Sequence, residues 1–448
     1  MKILATALLL GITGDLILRD MPLGINVLLW TLLLLAAVAY IVRQPRAMIL
    51  GGTGALIMAL GIAWRDSRAL VPLDFLLLLL FFAFLSLRAR GIREWATGIA
   101  TVGAALVMSA ALSVAGFVRL VFRDVNWRGL QPGSTTRRAL VVLRGFLIAF
   151  PLLLIFIALL TSADPAFAGI LQDLFNLDIP RILVHIVFTV LITVPVAGFL
   201  CSMLTPRDLP NGTRPSWLRL AAGETNVAVA LIDILFAAFV IVQLRYFFGG
   251  AALVKVAPKL SYADYARHGF FELVAVAALV LPLLLLAEWL IDKTSMTTFR
   301  LLALAQVLLV FVILVSAYRR MQLYVDEFGL TELRLYTTAF MFVMAALLAW
   351  FAATVLTGHR LQFFLGAISI GLSAVIVLHV INPDATIVRS NVARKRALDV
   401  AYLTSLSADA DPALVAAHLP CTAPRRKAIT DWRSWNLSRA EAVRVCGR

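Results

Sequence analysis

Residues 69–87 read ALVPLDFLLLLLFFAFLSL, and this stretch decides the class of fold. It contains one charged side chain, Asp74, among apolar residues. At about 1.5 Å of rise per residue, a helix of this length covers about 30 Å of hydrocarbon. Because a chain in lipid must satisfy its own backbone hydrogen bonds, the stretch predicts a transmembrane helix.

Similar runs recur along the chain, and 62% of the 448 residues are hydrophobic while only 15% are charged. Soluble domains have about half apolar and about a quarter charged residues. The weak ten-residue alternation of a transmembrane barrel is absent from the sequence. We therefore predict an all-α, polytopic transmembrane bundle of about twelve helices. The predicted spans are residues 3–18, 23–42, 46–64, 69–87, 95–118, 139–161, 182–204, 224–247, 269–291, 299–317, 333–356 and 361–381.

Two of the later loops predict local structure. After the span at 299–317, Met321, Tyr324 and Phe328 form the apolar face of a separate helix lying in the interface, and Gly329 ends it. After His379, the sequence Asn-Pro-Asp at 382–384 predicts a sharp end to the last span.

Two regions of different composition follow from the pattern of apolar runs. Residues 1–384 form the predicted transmembrane domain, and residues 385–448 form a small, basic, helical tail outside the membrane. The tail is too short for a sizeable core of its own, so we expect it to pack on the membrane face of the body. The start of the chain has the Lys2-then-apolar pattern of a signal peptide, but Gly14 and Asp15 interrupt it, which favours a first short helix.

The net charge of +15 has a simple interpretation in a membrane protein. Arg and Lys lie scattered in short loops, where they set topology and contact anionic lipid head groups. No nucleic-acid-binding motif accompanies them. The expected partner is therefore membrane lipid and not nucleic acid.

The distribution of arginine predicts an orientation. The loop at 119–138 has five arginines and one aspartate, which places it in the cytoplasm. Alternation then places the loops 248–268 and 318–332, and the tail, outside. One feature disagrees, because Arg88, Arg90 and Arg93 would face outward. Either the helix count is wrong by one among the first five helices, or this loop is an exception.

The tail also contains two of the three cysteines. Cys421 and Cys446 would pair as a disulfide in an oxidising compartment outside the membrane. They could equally be two free cytosolic thiols. A protein partner bound through the tail is a further expectation.

Known catalytic signatures are missing. The sequence has no Walker A, His-Glu-x-x-His, Gly-x-Ser-x-Gly or Cys-x-x-Cys motif, and its five histidines never have metal-ligand spacing within one helix. We therefore expect no metal and no cofactor, and the catalytic residues, if any, stay unknown. A site assembled across several helices is not visible in a sequence.

Polar residues in the later loops and spans form the candidate site. Ionisable groups in membrane segments are rare and mark functional sites by default. Each also has a simpler explanation: a helix cap, an interfacial aromatic belt, or an interhelical pair such as Asp233 with Arg144. The candidates are Asp164, Asp233, Arg245, Tyr262, Tyr265, Arg267, Glu272, Arg334, Asn382 and Asp384.

The same loops and the start of the tail contain a set of distinctive motifs. They are 160–167 LTSADPAF, 243–250 QLRYFFGG, 262–273 YADYARHGFFEL, 323–334 LYVDEFGLTELR, 381–384 INPD and 398–403 LDVAYL. In combination they resemble the uncharacterised polytopic bacterial membrane proteins known as domain of unknown function 4173. The resemblance implies a multi-helix body with a C-terminal extension in the bacterial inner membrane, and it implies no activity, substrate or catalytic residue.

Three functions fit these observations. The first is transport or handling of a small solute or lipid through a polar site on the outer-facing side. The second is a non-catalytic sensor or assembly partner that acts through the tail. The third is a membrane-embedded enzyme acting on a lipid-linked substrate, with arginines holding its phosphate.

Overall fold

A computed structural model describes most of the chain outside residues 91–178. The described residues are 2–42, 45–90, 145, 153, 156, 160, 179–204, 220–248, 270–291, 296–359, 362–394, 397–422 and 431–447. Within them the elements are helices, with one isolated bridge between Leu220 and Ile291. The predicted all-α class is confirmed for this part of the chain.

Ten long helices among the described residues form the body. Eight of the helices in the described ranges are long and apolar enough to cross a membrane, and the described part of α3, Gly51–Trp64, is shorter. The predicted span 95–118 lies outside the described residues, and only four residues of the predicted span 139–161 are described, so the count of about twelve is not confirmed. The body helices are α1 Lys2–Leu18, α2 Ile25–Val42, α3 Pro45–Trp64, α4 Leu70–Ala89, α5 Ile179–Leu204, α6 Ala222–Phe248, α7 Phe270–Leu290, α8 Met296–Phe328, α9 Glu332–Thr354 and α10 Phe363–Ile381.

The long helices form two units. In the first, α1 packs against α5, and α3 packs between α2 and α4. In the second, α8 packs against α6, α7 and α9. Helix α10 belongs to both units, because Phe363 lies in the core of the second and Val375 in the core of the first.

Close approach of α3 and α4 depends on small residues. A Cβ atom on Gly51 would lie 2.7 Å from the Cβ atom of Leu85, and one on Gly54 would lie 2.3 Å from the ring of Phe81. Small residues at such positions let helix backbones approach closely in lipid, where packing has to replace the hydrophobic effect.

Helix α8 corrects one prediction. The sequence predicted a span at 299–317 and a separate interfacial helix through Met321, Tyr324 and Phe328, but one helix of 33 residues covers both. At about 1.5 Å per residue it exceeds the hydrocarbon thickness, so its last turns project beyond it. Gly329, with φ +85°, ends the helix in the left-handed region as predicted.

The tail consists of short helices joined to α10 by a sharp turn. Asn382 has φ +55°, and its Oδ1 accepts a hydrogen bond from the backbone N–H of Ala385 at 3.1 Å. The predicted break at Asn-Pro-Asp is thereby confirmed. The tail helices are α11 Pro383–Ala393, α12 Val400–Ser405, α13 Asp411–Ala416 and α14 Leu437–Cys446, with 3-10 turns at Ala408–Ala410 and Trp432–Ser434.

A small apolar cluster holds the tail to the body. Ile387, Val388, Leu403 and Leu414 are its buried centre, and Leu330 from the α8–α9 turn packs against them. We call the end of the bundle that the tail covers the tail face, and the other end the opposite face.

The helix ends can be assigned to these faces by their contacts. Arg439 and Asn436 of the tail bond to the α1–α2 and α3–α4 turns, so these turns lie at the tail face. At the opposite face, Arg90 at the end of α4 bonds to Ser202 near the end of α5. There too, the backbone N–H of Leu220, before α6, donates to the carbonyl of Leu290.

Candidate functional site

Two regions of the described structure combine several buried polar side chains, and a smaller polar set joins α1 to α5. The first region is a network at the tail face that joins α3, α4, α10 and the tail. The second region lies within the bundle between α6, α7 and α8.

The tail-face network begins at a pair of side chains from α4 and α10. Nε2 of His379 lies 3.1 Å from Oδ2 of Asp74, and both side chains are buried. Nδ1 of His379 faces the carbonyl of Val375 at 2.9 Å, so Nδ1 carries a hydrogen. One further proton is therefore shared between the imidazole and the carboxyl, and the pair as a whole is neutral whichever partner holds it.

Arg65 joins this pair to the tail. Its Nε and Nη2 donate to the carbonyl oxygen of His379 at 2.9 and 2.5 Å. Its Nη1 lies 3.4 Å from Oδ1 of Asp409, and its guanidinium lies 4.8 Å from the ring centroid of Trp64. The end of α3 is thus connected to both α10 and the tail by one side chain.

Asp384 and Asp409 form an acidic cluster around Ser407. The hydroxyl of Ser407 hydrogen-bonds to Asp384 and lies 3.2 Å from Oδ2 of Asp409, although it has one proton to donate. Ser438 in turn faces both Asp409 and the carbonyl of Trp64. Acceptors therefore outnumber donors here, and a proton on one of the carboxyls would supply the missing donor.

The electrostatic environment agrees with a bound proton. The pKa of Asp384 is raised to about 6: burial is the largest cause, the hydrogen bonds from Ser407 act against it, and the charges of Asp409 and Glu332 act in the same direction as burial. Burial also raises the pKa of Asp409 above its usual range. Since both carboxyls are shifted in the same direction, the cluster binds protons more readily than isolated aspartates do.

A buried arginine joins the tail to the first helical unit. Arg439 contacts Asp66 at 2.7 Å and donates to the carbonyl of Leu23 at 2.9 Å. Asn436 donates to the carbonyls of Ile62 and Arg65, both at 2.9 Å. These contacts satisfy carbonyl groups at the end of α3 that have no partner within the helix.

Arg334 has a local role at the α8–α9 turn. Its guanidinium lies 4.1 Å from the ring centroid of Tyr324 and hydrogen-bonds to the carbonyl of Gly329. Asn391 of α11 pairs with the backbone of Leu330 in both directions, each at 2.8 Å. Thr331 has the N-cap position of α9, but its side chain makes no cap hydrogen bond; the hydroxyl of Tyr402 accepts from the N–H of Glu332 at 2.9 Å.

A separate polar set joins α1 to α5. Nδ1 of His185 lies 2.5 Å from Oδ2 of Asp15, and Arg19 reaches both partners, at 2.6 Å to Nε2 of His185 and 3.1 Å to Oδ1 of Asp15. Because arginine can only donate, Nε2 is the acceptor and Nδ1 carries the imidazole hydrogen. Asp15 is therefore an interhelical contact of the short first helix.

The second region contains a cavity of about 390 Å³ between α6, α7 and α8. This volume falls within the range of small-molecule sites. Its walls are apolar, and two side chains of opposite charge, Glu272 and Arg320, lie at its tail-face end. Glu272 is exposed in the first turn of α7, where an acid also complements the helix dipole, so it lies nearer the helix end than the sequence suggested. The lining residues are Leu235, Phe236, Phe239, Glu272, Leu273, Val276, Ile313 and Arg320.

Asp233 lies deeper in α6, one turn from the cavity. Its side chain is 8% exposed, and neither carboxylate oxygen has a hydrogen-bond partner in the described part of the chain. The pairing with Arg144 that the sequence suggested is untested, because Arg144 lies outside the described residues.

The cysteine pair of the tail forms a disulfide. Sγ of Cys421 and Sγ of Cys446 are bonded at 1.95 Å, across 25 residues of sequence. Asp411 lies close to both sulfurs, but its two carboxylate oxygens accept from Thr422 at 2.7 and 2.9 Å. Disulfide sulfurs are not thiolates, so this group is unsuited to hold a metal.

Several predicted residues cannot be placed. The structure places Arg334, Asn382 and Asp384 at the tail face, and it places Glu272 and Asp233 along one side of the second helical unit. The remaining candidates, which are Asp164, Tyr262, Tyr265, Arg267 and the side chain of Arg245, lie outside the described residues.

The sequence identified individual polar residues more often than it identified the residues with which they interact. His379 and Asp74 were recognised separately, and nothing in the sequence pairs them across 305 residues. Arg65, Arg439 and Gln306 were not singled out. A buried Gln in an apolar helix was the one signal available, since Gln306 stands among leucine, valine and alanine.

The described helices and their buried polar side chains define a multi-pass membrane protein. A protein-family model, "Domain of unknown function (DUF4153)", matches residues 52–417. Since the match covers most of the chain, the protein belongs to the DUF4153 family of unknown function. Its number differs from that of the family 4173 to which the loop motifs show a resemblance. No curated protein and no solved structure matches the chain.

Proposed function

We propose that this protein binds and moves a small amphipathic solute or lipid across the membrane through the cavity between α6, α7 and α8. The observation that supports this best is the chemistry of the cavity. Apolar side chains such as Phe236 and Phe239 form its walls, and the two charged residues at one end, Glu272 and Arg320, are of opposite sign.

An amphipathic ligand fits this arrangement for a physical reason. An apolar body buried against Phe236, Leu273 and Ile313 gains free energy in proportion to the area removed from water. A polar head at the level of Glu272 and Arg320 keeps its hydrogen-bonding partners and its contact with the head-group region. A free inorganic ion would gain nothing from the apolar walls.

The proposal can be tested with purified protein in vesicles and a fluorescent acyl amphiphile with a zwitterionic head. Phe236→Trp fills the cavity and Glu272→Gln removes the charge at its end, so both variants should bind and move the probe more weakly than the unmodified protein. Glu288→Gln is the matched control, since Glu288 lies on the same helix outside the cavity lining. If Phe236→Trp and Glu272→Gln handle the probe as well as Glu288→Gln does, the proposal is wrong.

We also propose an orientation in the bacterial cytoplasmic membrane, with the tail face outside and about twelve spans. The contact between Arg90 and Ser202 supports it, because it places Arg90 and the nearby Arg88 at the opposite face, which is then the cytoplasmic one. The disagreement of these two arginines with the positive-inside rule disappears.

Accessibility labelling tests this orientation. In a Cys201→Ala background, Arg68→Cys at the tail face and Thr357→Cys at the opposite face should react with a membrane-impermeant thiol reagent from different sides. Both positions are exposed. Labelling of Arg68→Cys from the cytoplasm would invert the proposed orientation.

The tail supports a second role, in contacts with membrane lipid or with a protein partner. Trp432 is 63% exposed, and Trp435 and Leu437 of the same segment are also exposed. Tryptophan at this level is typical of the water–lipid boundary, so lipid is the occupant we propose. A photoreactive residue at Trp432 should crosslink to lipid; capture of one defined protein instead would favour the sensor or assembly alternative. The enzyme alternative depends on residues outside the described ranges.

A further inference from the structure

Asp233 carries a carboxyl group deep in α6. Asp233 is the twelfth residue of this helix, about 16 Å from its start at about 1.5 Å per residue. That depth is near the middle of a hydrocarbon layer of about 30 Å. Within the described residues, both of its oxygens are buried and have no hydrogen-bond partner.

Gln306 of α8 is a second polar side chain that is buried within the bundle. Its side chain is 0% exposed, and neither its amide nitrogen nor its amide oxygen has a hydrogen-bond partner in the part of the chain that the structure describes. Natural structures leave few buried polar atoms unpaired, and each such atom calls for an explanation.

The packing of α6 and α8 places these side chains at a similar level. The two helices start at the same face, since the chain before α6 bonds to the end of α7 and α8 begins shortly afterwards. They therefore run parallel. Asp233 follows the start of α6 by 11 residues and Gln306 follows the start of α8 by 10, so the two side chains lie at similar depths from that face.

Asp233 also lies on the side of α6 that faces α8. Val229, Asp233, Phe236 and Val240 recur at helical spacing, and they are buried or packed against the core cluster that contains α8. The same stripe continues into the cavity through Phe236. The carboxyl group is thus one helical turn from the proposed solute site.

Charge on Asp233 would be costly at this position. Desolvation of an ionised carboxylate without a partner costs several kcal/mol, and such groups become neutral instead. A protonated carboxyl avoids this cost, so protonation suits the burial of Asp233. In the conformation described, Asp233 and Gln306 do not hydrogen-bond to each other.

Other charged groups of the neighbouring helices lie elsewhere along the membrane normal. Arg300 on α8 reaches towards Gly358 at the opposite face, where a Cβ on this glycine would lie 3.2 Å from its Nη2. Arg320 and Glu272 lie at the tail-face end, and Glu288 lies near the opposite end of α7. None of these groups, within the described residues, forms an ion pair with Asp233.

We propose that Asp233 is a proton-binding site that couples solute movement to a proton gradient. This step rests on the proposed transport function. The carboxylate takes one proton from the solution on one side and becomes a neutral acid in the conformation described. It releases the same proton when a conformational change exposes it to water on the other side.

Infrared spectroscopy tests the proton site without requiring transport. The spectrum at pH 7.5 should contain a protonated-acid carbonyl band that shifts in D₂O and that is absent in Asp233→Asn. Glu224→Gln is the control, because this exposed first-turn acid of α6 should contribute no such band. If Asp233→Asn and the unmodified protein give the same spectrum, the proton-site proposal is overturned.

Flux measurements test the coupling. With an imposed pH gradient, Asp233→Asn should lose the gradient-driven part of solute movement, and Asp233→Glu should keep some of it. Gradient-driven movement that persists in Asp233→Asn would overturn the coupling while leaving the transport function intact. Absence of any probe movement in the unmodified protein would instead remove the transport function, and the infrared band would still decide whether Asp233 binds a proton.

Discussion

Arg439 donates a hydrogen bond from Nε to Oδ1 of Asp66 at 2.8 Å, and its Nη2 forms an ion pair with the same oxygen at 2.7 Å. The two residues are 373 positions apart, and both side chains are buried. A pair of this kind lets the last helix of the tail hold the turn between α3 and α4.

Arg439→Ala should detach this part of the tail. It leaves Asp66 buried without its main partner, which costs about 3–5 kcal/mol in comparable buried pairs. The thermal midpoint in detergent should fall, and trypsin should cut the tail faster. Arg444→Ala is the control on the same helix, since Arg444 is 71% exposed and its contact with Glu441 should be worth at most about 1 kcal/mol. If the two variants had equal effects, the pair of Arg439 and Asp66 would not be what holds the tail to the turn between α3 and α4.

Reduction of the Cys421–Cys446 disulfide should loosen the same region. The bond closes a loop of 25 residues, for which the loss of chain entropy in the unfolded state is worth about 3 kcal/mol. A reductant should therefore lower the midpoint of tail unfolding. The double variant Cys421→Ser/Cys446→Ser should already have the lower midpoint and should not respond to reductant, whereas Cys201→Ala should respond fully.

Tail stability should rise as the pH falls through 6. The pKa of Asp384 is raised from 3.8 to about 6, so the folded protein binds a proton more tightly than the unfolded chain does. Between about pH 4 and 6 the folded state therefore gains stability on acidification, and it loses stability as the pH rises through that window. From pH 5 to 7.5 we expect a loss of about 1–2 kcal/mol.

Asp384→Asn should flatten this pH profile, as measured by thermal unfolding at several pH values. Asp399→Asn is the matched control, because Asp399 is an exposed N-cap and asparagine caps equally well. A profile that stays as steep in Asp384→Asn would assign the dependence to another group, with Asp409 the next candidate, since burial raises its pKa in the same direction.

Gly61→Ala should disturb the buried pair of Asp74 and His379. A Cβ atom at position 61 would lie 2.6 Å from Nε2 of His379 and 3.1 Å from Oδ2 of Asp74. Overpacking of this kind costs about 1–3 kcal/mol, and here it also displaces a hydrogen bond. Gly371→Ala, in the same helix as His379, meets no atom within 4 Å and should leave the thermal midpoint unchanged or slightly higher.

Much of the helical framework could be predicted from the sequence. The span predicted at 69–87 corresponds to α4 Leu70–Ala89, and the turn at Asn382 separates α10 from α11 as expected. Helix α8 was divided wrongly, because its charged last turns resemble an interfacial segment although the backbone hydrogen bonds continue through them.

The candidate site could be predicted only in part. Asp384 and Asn382 were named because polar residues after a membrane span are unusual, but Ser407, Asp409 and Ser438 were not, since nothing local distinguishes them from ordinary tail residues. Their importance comes from burial, which is a property of the assembled tail and body.

The sequence alone determined that this chain forms membrane helices followed by a small polar tail. Hydrophobic length is a local property, and a long apolar run in lipid leaves the backbone little alternative to a helix. Only the tertiary structure decided which polar groups meet. The pairing of Asp74 with His379, of Asp66 with Arg439 and the similar depth of Asp233 and Gln306 depend on helix register and rotation. Helix register and rotation are set by many weak packing contacts between distant parts of the chain, so they cannot be inferred from any single stretch of sequence.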